Sequence, residues 1–233
     1  MANTESKLWC LEQINILNNF TTAELAEVEK KSVLRAFDKK VNIYFPGDPA
    51  NVVYLLKSGR VKIVTMGGNG KEIIKNILYP GEIFRELSIA TGGEREDYAI
   101  ALDKDVKLCT ISYKEILEIM DKIPRLQYRI TKTIGEKVVN MERKFNSLLF
   151  QSSEQRVVLF LIEMAAKIGT PVGTEISIKH NLSHEEIGNL TCTSRQTVTT
   201  VLNELKRKDE IYMERKKILI RNIQNLKRWM QTQ

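Results

Sequence analysis

Residues Leu182–Lys208 read LSHEEIGNLTCTSRQTVTTVLNELKRK, and this stretch predicts two short helices joined by a tight turn. Ser183 is a good N-cap for the first helix, and Glu186 three residues later completes a capping box. Ser194 caps the second helix. Its apolar residues fall at helical spacing, so we expect them to be buried; they are Val198, Val201, Leu202 and Leu205.

The opposite face of the second helix carries side chains that form hydrogen bonds and none that is apolar. We take the residues at the start of this helix as candidates for contact with DNA: Ser194, Arg195, Gln196, Thr199 and Thr200. In a major groove, arginine pairs with guanine and glutamine with adenine. Arg195 and Gln196 in the first turn therefore favour a helix that reads base edges. The alternative is an ordinary helical hairpin with a solvated face.

The segment that follows adds a basic hairpin. Two short strand patterns, Glu210–Met213 and Lys217–Ile220, flank a basic tip, and this is typical of the wing of a winged helix. From Arg195 to Arg228 there are ten Lys and Arg residues against four acidic ones. An excess of this kind indicates a surface for the DNA backbone. We expect Arg215, Lys216 and Lys217 to meet phosphate, although a solvated basic surface has the same composition.

Composition limits the class of protein. The 233 residues suffice for two domains, and 42% hydrophobic with 28% charged residues indicates a globular chain. A net charge of +7 favours an anionic partner. Cys10, Cys109 and Cys192 lie far apart and form no metal-binding motif. The chain has no apolar run long enough to cross a membrane and no signal peptide pattern, so we expect a soluble, cytoplasmic protein.

The first half alternates in a way that predicts strands. After helical patterns in residues 1–40, short alternating runs are separated by glycine turns, which favours an antiparallel β-barrel or jelly roll. The predicted strands are Val41–Phe45, Val52–Leu56, Val61–Thr65, Glu72–Leu78, Tyr98–Leu102 and Val106–Ile111. With the helices that follow, the fold class is α+β.

From Ser112 the period returns to that of a helix. Tyr113–Lys122 is one helix, and a longer one follows Pro124 and runs to about Phe150. Spacings of three and four along it form a coiled-coil seam, which indicates dimerisation; the seam residues are Ile134, Val138, Met141, Phe145 and Leu148. The alternative is a helix packed on its own barrel. Helix Gln155–Ile168 and a loop at Gly169–Gly173 come next.

Three pieces of sequence together resemble the Crp/Fnr family of bacterial transcription regulators. They are YFPGDPANVVYLLKSGRVKIV at 44–64, YPGEIFREL at 79–87 and SRQTV at 194–198, with Gly47, Gly59 and Gly81 matching the family's barrel turns. The resemblance implies three regions: a sensing barrel (1–111), a dimerisation helix (112–150) and a winged helix-turn-helix (151–233). It also implies a parallel homodimer, a palindromic double-stranded DNA site and RNA polymerase as a partner.

The effector pocket departs from the family pattern. Members that bind cyclic AMP use a Gly-Glu-Leu turn, an Arg-Ser pair about ten residues later and two hydroxyl residues on the long helix. Here arginine replaces the glycine, and methionine and glutamate replace the hydroxyl residues. The later pair is Arg95-Glu96 if the loop is one residue shorter, whereas the alternative alignment puts Glu96 at the arginine position, so an acid sits near the phosphate position in either case. The candidate pocket residues are Arg85, Glu86, Leu87, Arg95, Glu96, Met141 and Glu142. We therefore do not expect cyclic AMP to be the effector, and no cofactor is predicted.

Two readings of the pocket stay open. Arg85 pairs with Glu96 or Glu86 and fills the pocket, leaving a protein active without ligand. Alternatively, Arg85 and Arg95 hold a different small anion, such as a dicarboxylate or another nucleotide. A haem or metal sensor is not expected because both histidines, His180 and His184, lie in the DNA-binding half; His184 is predicted to be a solvated first-turn residue.

An enzyme is not expected, since no Ser-His-Asp or Cys-His set and no metal cluster is visible. The rival is a ligand-binding or enzymatic barrel whose basic end contacts another polyanion. Cys192 occupies a turn position where the family usually has glycine, and a tolerated small residue is favoured there over a redox switch.

Overall fold

The computed structural model describes residues 11, 14–68, 70, 72–87, 93–214 and 216–230 of the chain. The chain divides into two units, Met1–Asn140 and Met141–Gln233, with the division inside the long helix. Each unit is described by itself. The domain boundaries drawn from the sequence, at residues 111 and 150, stay a prediction.

The first unit contains two four-stranded antiparallel sheets. The strands are β1 (Val33–Phe37), β2 (Asn42–Tyr44), β3 (Val52–Ser58), β4 (Val61–Met66), β5 (Glu72–Leu78), β6 (Ile83–Phe84), β7 (Tyr98–Ala101) and β8 (Val106–Ser112). One sheet has the order β1-β8-β3-β6 and the other β2-β7-β4-β5. Of the two predicted forms, the jelly roll is confirmed, because the strands form two separate sheets and not one closed barrel. β1 and β6 were not predicted, and β1 replaces the end of a segment expected to be helical.

Strand β3 shows why the two sheets pack face to face. Its side chains are buried on both sides, as expected for a strand with one face on a second sheet and the other under helices. Tyr54 and Leu56 join a core that draws residues from both sheets. Val53 and Leu55 join a second core with the helices of this unit.

The helices of the first unit begin at predictable caps. They are α1 (Thr22–Lys31), α2 (Tyr113–Lys122) and α3 (Pro124–Phe150), preceded by a 3₁₀ turn at Asn15–Leu17. Thr21 with Glu24, and Ser112 with Glu115, form complete capping boxes. α3 begins at proline, which lacks the N–H that a first turn leaves unbonded. Both α2 and α3 have the bounds that the sequence predicts.

The second unit has the elements of a winged helix. They are α4 (Ser153–Ile168), β9 (Thr170–Val172), β10 (Glu175–Lys179), α5 (His184–Thr191), α6 (Arg195–Arg207), β11 (Ile211–Glu214), β12 (Lys217–Ile220) and α7 (Ile223–Trp229). Its sheet has the order β11-β12-β10-β9. The loop predicted at Gly169–Gly173 is wrong, because Thr170–Val172 pairs with β10. Pro171 concealed this strand, yet an edge strand tolerates proline.

Among the residues that the structure describes, no helix is long and apolar enough to cross a membrane.

Candidate nucleic-acid interface and effector pocket

Helices α5 and α6 form the predicted helix-turn-helix. The capping box at the start of α5 is present, since Ser183 accepts from the Glu186 N–H and the Glu186 carboxylate accepts from the Ser183 N–H. The α5 helix ends at Cys192, whose φ of 53° and ψ of 44° are left-handed. This conformation explains why glycine is usual there. A side chain on Gly188 would meet the Thr193 carbonyl at 2.9 Å, so this glycine lets the turn close.

The exposed face of α6 is polar, as predicted. Ser194 caps the helix by accepting from the Thr197 N–H at 3.0 Å. The predicted apolar residues of α6 are all buried. Arg195, Gln196 and Thr200 are exposed. The side chains of Arg195 and Gln196 in the first turn are therefore solvent-exposed, as they must be to reach base edges.

Thr199 differs from its neighbours on this face. Its hydroxyl donates to the Arg195 carbonyl at 2.9 Å and lies 2.8 Å from Nδ1 of His184. The hydroxyl is therefore already bonded within the protein, and a contact between Thr199 and DNA stays a prediction. His184 is a first-turn residue as predicted, but its ring is only partly exposed because Nδ1 lies against Thr199 of α6.

The wing carries the predicted basic tip. β11 and β12 pair from Ile211↔Ile220 to Glu214↔Lys217. Lys216 lies at the turn with a φ of 68° and is exposed, whereas Lys217 is partly buried. Arg215 lies outside the described residues. The cations at the end of α6 are exposed as well, so the unit presents positive charge from two elements.

Arg156 ties the turn of this motif to the end of the long helix. From the first turn of α4 its guanidinium donates to the carbonyls of Thr191 and Cys192 at 3.0 Å each and of Gln151 at 2.8 Å. These carbonyls lie at or just beyond the C-termini of α5 and α3, where they lack helical partners. One side chain thus fixes the turn of the helix-turn-helix relative to the α3–α4 joint.

In the first unit, Arg85 pairs with an acid that was not predicted. Its guanidinium donates to Asp97 and, at 2.8 Å, to the Tyr44 hydroxyl. The predicted pairing with Glu96 or Glu86 is wrong. Residues 95 and 97 point inward and Glu96 is exposed, as alternation along an extended chain requires. Arg85 has a φ of 70°, the left-handed region that favours glycine.

Asp97 is the centre of a charged network. Besides Arg85, Lys75 lies 3.3 Å from its carboxylate and the Tyr44 hydroxyl donates to it at 3.1 Å. Burial is the main reason that the pKa of Tyr44 is raised above its usual value, so the phenol keeps its hydrogen. The network occupies the turn where the family's glycine would leave backbone amides open.

Arg95 lies deeper and is 5% exposed. It donates to the Pro49 carbonyl at 3.1 Å and to the Tyr54 hydroxyl at 2.8 Å, and it stacks over the Tyr44 ring at 4.1 Å. Among the residues that the structure describes, no carboxylate forms an ion pair with Arg95. A buried guanidinium with only neutral partners retains the capacity to bind an anion.

Glu86 is held by the long helix. Its side chain is 1% exposed, and Nζ of Lys137 on α3 lies 2.6 Å from Oε1 while also donating to the Ile83 carbonyl at 2.8 Å. Oε2 of Glu86 is buried and has no hydrogen-bond partner among the residues that the structure describes. The long helix therefore does contribute to this pocket, through Lys137.

The other predicted pocket residues are open to solvent. Met141 and Glu142 are exposed residues of α3 in the second unit, and Leu87 is 51% exposed. Their place in a pocket stays a prediction.

The seam predicted on α3 is exposed except at its start. Val138, Met141, Phe145 and Leu148 are between 41% and 69% exposed. Ile134 instead packs against the core of its own unit. At this residue the alternative interpretation holds, in which the helix packs on its own sheets. Four large apolar side chains in a row along one helix form a surface that favours association.

Comparison with known proteins gives two family models in order along the chain. A cyclic nucleotide-binding domain matches residues 34–123, and a Crp-like helix-turn-helix domain matches residues 155–229. The global nitrogen regulator of Synechocystis sp. is 30% identical over 192 residues, which cover 82% of this chain and 85% of the relative. The chain belongs to the Crp/Fnr family of transcription regulators.

Further comparisons extend the match. A cAMP-activated global transcriptional regulator of Mycobacterium tuberculosis is 25% identical over 94% of this chain and 97% of its own. Among solved structures, a CooA mutant from Carboxydothermus hydrogenoformans has a TM-score of 0.77 at 24% identity, covering 94% of this chain and 95% of its own. FixK2 from Bradyrhizobium japonicum has a TM-score of 0.73 at 20% identity, covering 84% and 96%. The two curated relatives are named as regulators, and the two solved structures share the fold of this chain.

Sequence reasoning missed several residues of this Crp/Fnr protein that the structure brings to its sites. Asp97 had a signal, because it alternates with Arg95. Lys137 also had one, since it follows Ile134 by three residues and so shares its helix face. Tyr44 had none, because Arg85 and Asp97 lie 41 and 53 residues away in the chain. Arg156 had none for the turn, because Thr191 and Cys192 lie 35 and 36 residues away.

Proposed function

We propose that this regulator binds a palindromic DNA site as a homodimer and reads its sequence through the first turn of α6. The observation that carries the proposal is the exposure of Arg195 and Gln196 above a fully buried apolar stripe. The exposed seam of α3 supports a dimer. Two-fold symmetry then requires half-sites about one helical turn apart.

The predicted site differs from the usual palindrome of the family. Members usually carry Arg, Glu and Arg on this helix, and the matching positions here are Arg195, Gln196 and Thr200. Arg195 keeps a guanine contact. Gln196 does not accept from a cytosine amino group as a carboxylate does, and Thr200 is too short for a second guanine.

The bound dimer contacts RNA polymerase at the promoter, as the family resemblance implies, and a regulator of bacterial genes works in the cytoplasm. These two statements rest on the family and on the presence of the DNA-binding unit.

Cyclic AMP is not the effector in this proposal. Arg85 takes the place of the glycine, and the Asp97 carboxylate it binds adds negative charge beside the position of a phosphate. Met141 and Glu142 offer no hydroxyl to adenine. Arg95 has no carboxylate partner in the described ranges of the chain, and this supports a different small anion as the effector. The Arg85–Asp97 pair instead supports a pocket filled by the protein itself and a regulator active without ligand.

Selection from random duplexes tests the DNA proposal. The purified protein is mixed with randomised double-stranded DNA, and the bound fraction is recovered by gel shift and sequenced. We expect an inverted repeat with a guanine in each half-site that Arg195→Ala ceases to select. Equal retention of all sequences, or of any polyanion, would instead favour the rival, a barrel whose basic end contacts another polyanion.

Thermal unfolding with ligands tests the pocket. A ligand that binds only the folded protein stabilises it by about 2.7 kcal/mol at a hundredfold excess over its dissociation constant. We expect no shift with cyclic AMP. A shift with a member of a dicarboxylate and nucleotide panel, lost in Arg95→Ala, identifies an anion effector, and no shift with any supports the ligand-independent form. Stabilisation and tighter operator binding by cyclic AMP would refute the reading of the pocket.

A further inference from the structure

His184 lies against the turn that presents the base-reading residues. It is the first residue of α5, and its Nδ1 is 2.8 Å from Oγ1 of Thr199 on α6. The same hydroxyl donates to the Arg195 carbonyl at 2.9 Å. The imidazole therefore sits beside the turn that exposes Arg195, at the edge of the surface assigned to DNA.

These two hydrogen bonds determine which ring nitrogen carries the hydrogen. A carbonyl oxygen only accepts, so the single hydroxyl hydrogen of Thr199 is committed to Arg195. Oγ1 of Thr199 must then accept from His184, and Nδ1 must be the protonated nitrogen. A neutral imidazole has one N–H, so Nε2 of neutral His184 is a bare acceptor. As long as Nδ1 donates to Thr199, only the positively charged ring also has an N–H at Nε2.

We propose that His184 donates from Nε2 to a DNA phosphate only when it is protonated, so that each protomer takes up a proton on binding DNA. The inference rests on the proposed DNA-binding function. In a helix-turn-helix the first helix crosses the DNA backbone, which places its exposed residues near phosphate. A phosphate oxygen only accepts hydrogen bonds, so it repels the lone pair of a neutral Nε2 and attracts the N–H of a charged one.

The surface around His184 carries other charged side chains. They come from α5, from α6 and from the wing: Glu185, Glu186, Arg195 and Lys216. Glu186 is held in the capping box, and the Lys216 carbonyl accepts from the N–H of Asn181, just before α5. Arg156 on α4 bonds the opposite end of α5. Histidine is the side chain that changes charge between about pH 5 and pH 8.

The chain makes the effect easy to isolate, because it has only two histidines. The other, His180, is 7% exposed, and its Nδ1 accepts from the Leu182 N–H at 3.0 Å. It is therefore bonded inside the second unit and does not face the same surface.

The test compares operator affinity at two values of pH. Dissociation constants are measured by fluorescence anisotropy at constant salt for the wild type, His184→Gln, Thr199→Ser and Thr199→Val, with circular dichroism to verify folding. For the wild type we expect the constant to fall roughly tenfold or more from about pH 8 to about pH 6, since both protomers gain a charge-assisted hydrogen bond. His184→Gln should lose this change.

The two Thr199 variants separate the proposed mechanism from a general effect of the histidine. Thr199→Ser keeps the hydroxyl, so the ratio of the dissociation constants at the two pH values should stay as in the wild type. Valine releases Nδ1, so neutral His184 can carry its hydrogen on Nε2, and the ratio should shrink. Because the readout is a ratio, any loss of affinity that is independent of pH drops out.

Each result decides one statement. A His184→Gln protein as pH-dependent as the wild type, or an unchanged ratio in Thr199→Val, overturns the proposal. If an unrelated duplex gives the same ratio of dissociation constants between the two pH values, the contact of His184 with a phosphate is supported. If the pH dependence is seen only with the operator, the assignment to phosphate is overturned. Failure to bind any duplex at either pH refutes the proposed function itself, while operator binding without a contribution from His184 refutes this inference alone.

Discussion

Removal of the Lys137 charge should strongly destabilise the first unit. Lys137→Met keeps an apolar stem of similar length but deletes the cation 2.6 Å from the Glu86 carboxylate. Glu86 is 1% exposed, and within the described part of the chain its second oxygen has no hydrogen-bond partner. Without the Lys137 cation, the buried carboxylate stays charged and uncompensated or takes up a proton, and both cost stability.

The expected loss follows from the burial of the two partners. Breaking a buried ion pair by removing one partner costs about 3–5 kcal/mol. Lys137 is 37% exposed, so water already screens the pair in part, and the lower end, about 3 kcal/mol, is expected. The same helix supplies a control in Lys132→Met. Lys132 lies 3.8 Å from Glu136, and both are 62% exposed, so this loss should stay below about 0.5 kcal/mol.

Urea unfolding of the full chain at pH near 7, followed by circular dichroism, measures both losses from the transition of the first unit. A Glu86→Gln/Lys137→Met double variant removes the charge as well as its partner, so it should regain more than half of the stability. If Lys137→Met costs no more than Lys132→Met, or if Glu86→Gln restores nothing, the buried carboxylate does not depend on Lys137 and the reasoning is wrong.

Three further predictions follow from other contacts. Arg195→Ala should lose roughly 1–3 kcal/mol of operator affinity and relax one base position, whereas Lys216→Ala should weaken all duplexes alike and reduce the salt dependence, both measured by competition binding. Phe145→Glu should sediment as a folded monomer, because Phe145 is 59% exposed in the single chain and a charge there resists burial in a dimer. A hydrogen bond from Arg60 holds the pKa of Asp103 below its usual range. This pair stabilises the fold above the ordinary carboxyl pKa, and the contribution is lost as pH falls through the lowered one, so Asp103→Asn should flatten that part of the acid unfolding curve.

The parts of the fold that could be predicted from sequence are those with local determinants. Ser112 caps α2, Pro124 begins α3 and Ser194 caps α6, and in each case the signal lies within a few residues of the helix it begins. The buried face of α6 followed from spacing alone. The distinction between a closed barrel and a jelly roll did not, because it depends on which strands pair.

The strands that were missed in the first unit have non-local partners. Val33–Phe37 is an edge strand without regular alternation, and it exists because β8, more than 70 residues later, pairs with it from Val33↔Thr110 to Phe37↔Val106. Ile83–Phe84 has two residues and is defined by its pairing with β3. A pattern read along the chain does not contain these pairings, which form only when the sheet does.

The DNA-binding surface depends on local sequence signals, whereas the pocket depends on residues that are distant in the chain. Arg195 and Gln196 are exposed because they occupy the first turn of a helix whose other face is apolar, and both facts can be read from a few neighbouring residues. Arg85 lies twelve residues before Asp97, and Glu86 lies 51 residues before Lys137. The sequence indicated which cations and acids were available, but the choice of Asp97 over Glu96 was made by the inward face of an extended segment. In a related chain, a substitution in the first turn of α6 should thus be interpretable from sequence. A substitution at Arg85 or Glu86 should be interpretable only together with the residues that the fold places opposite.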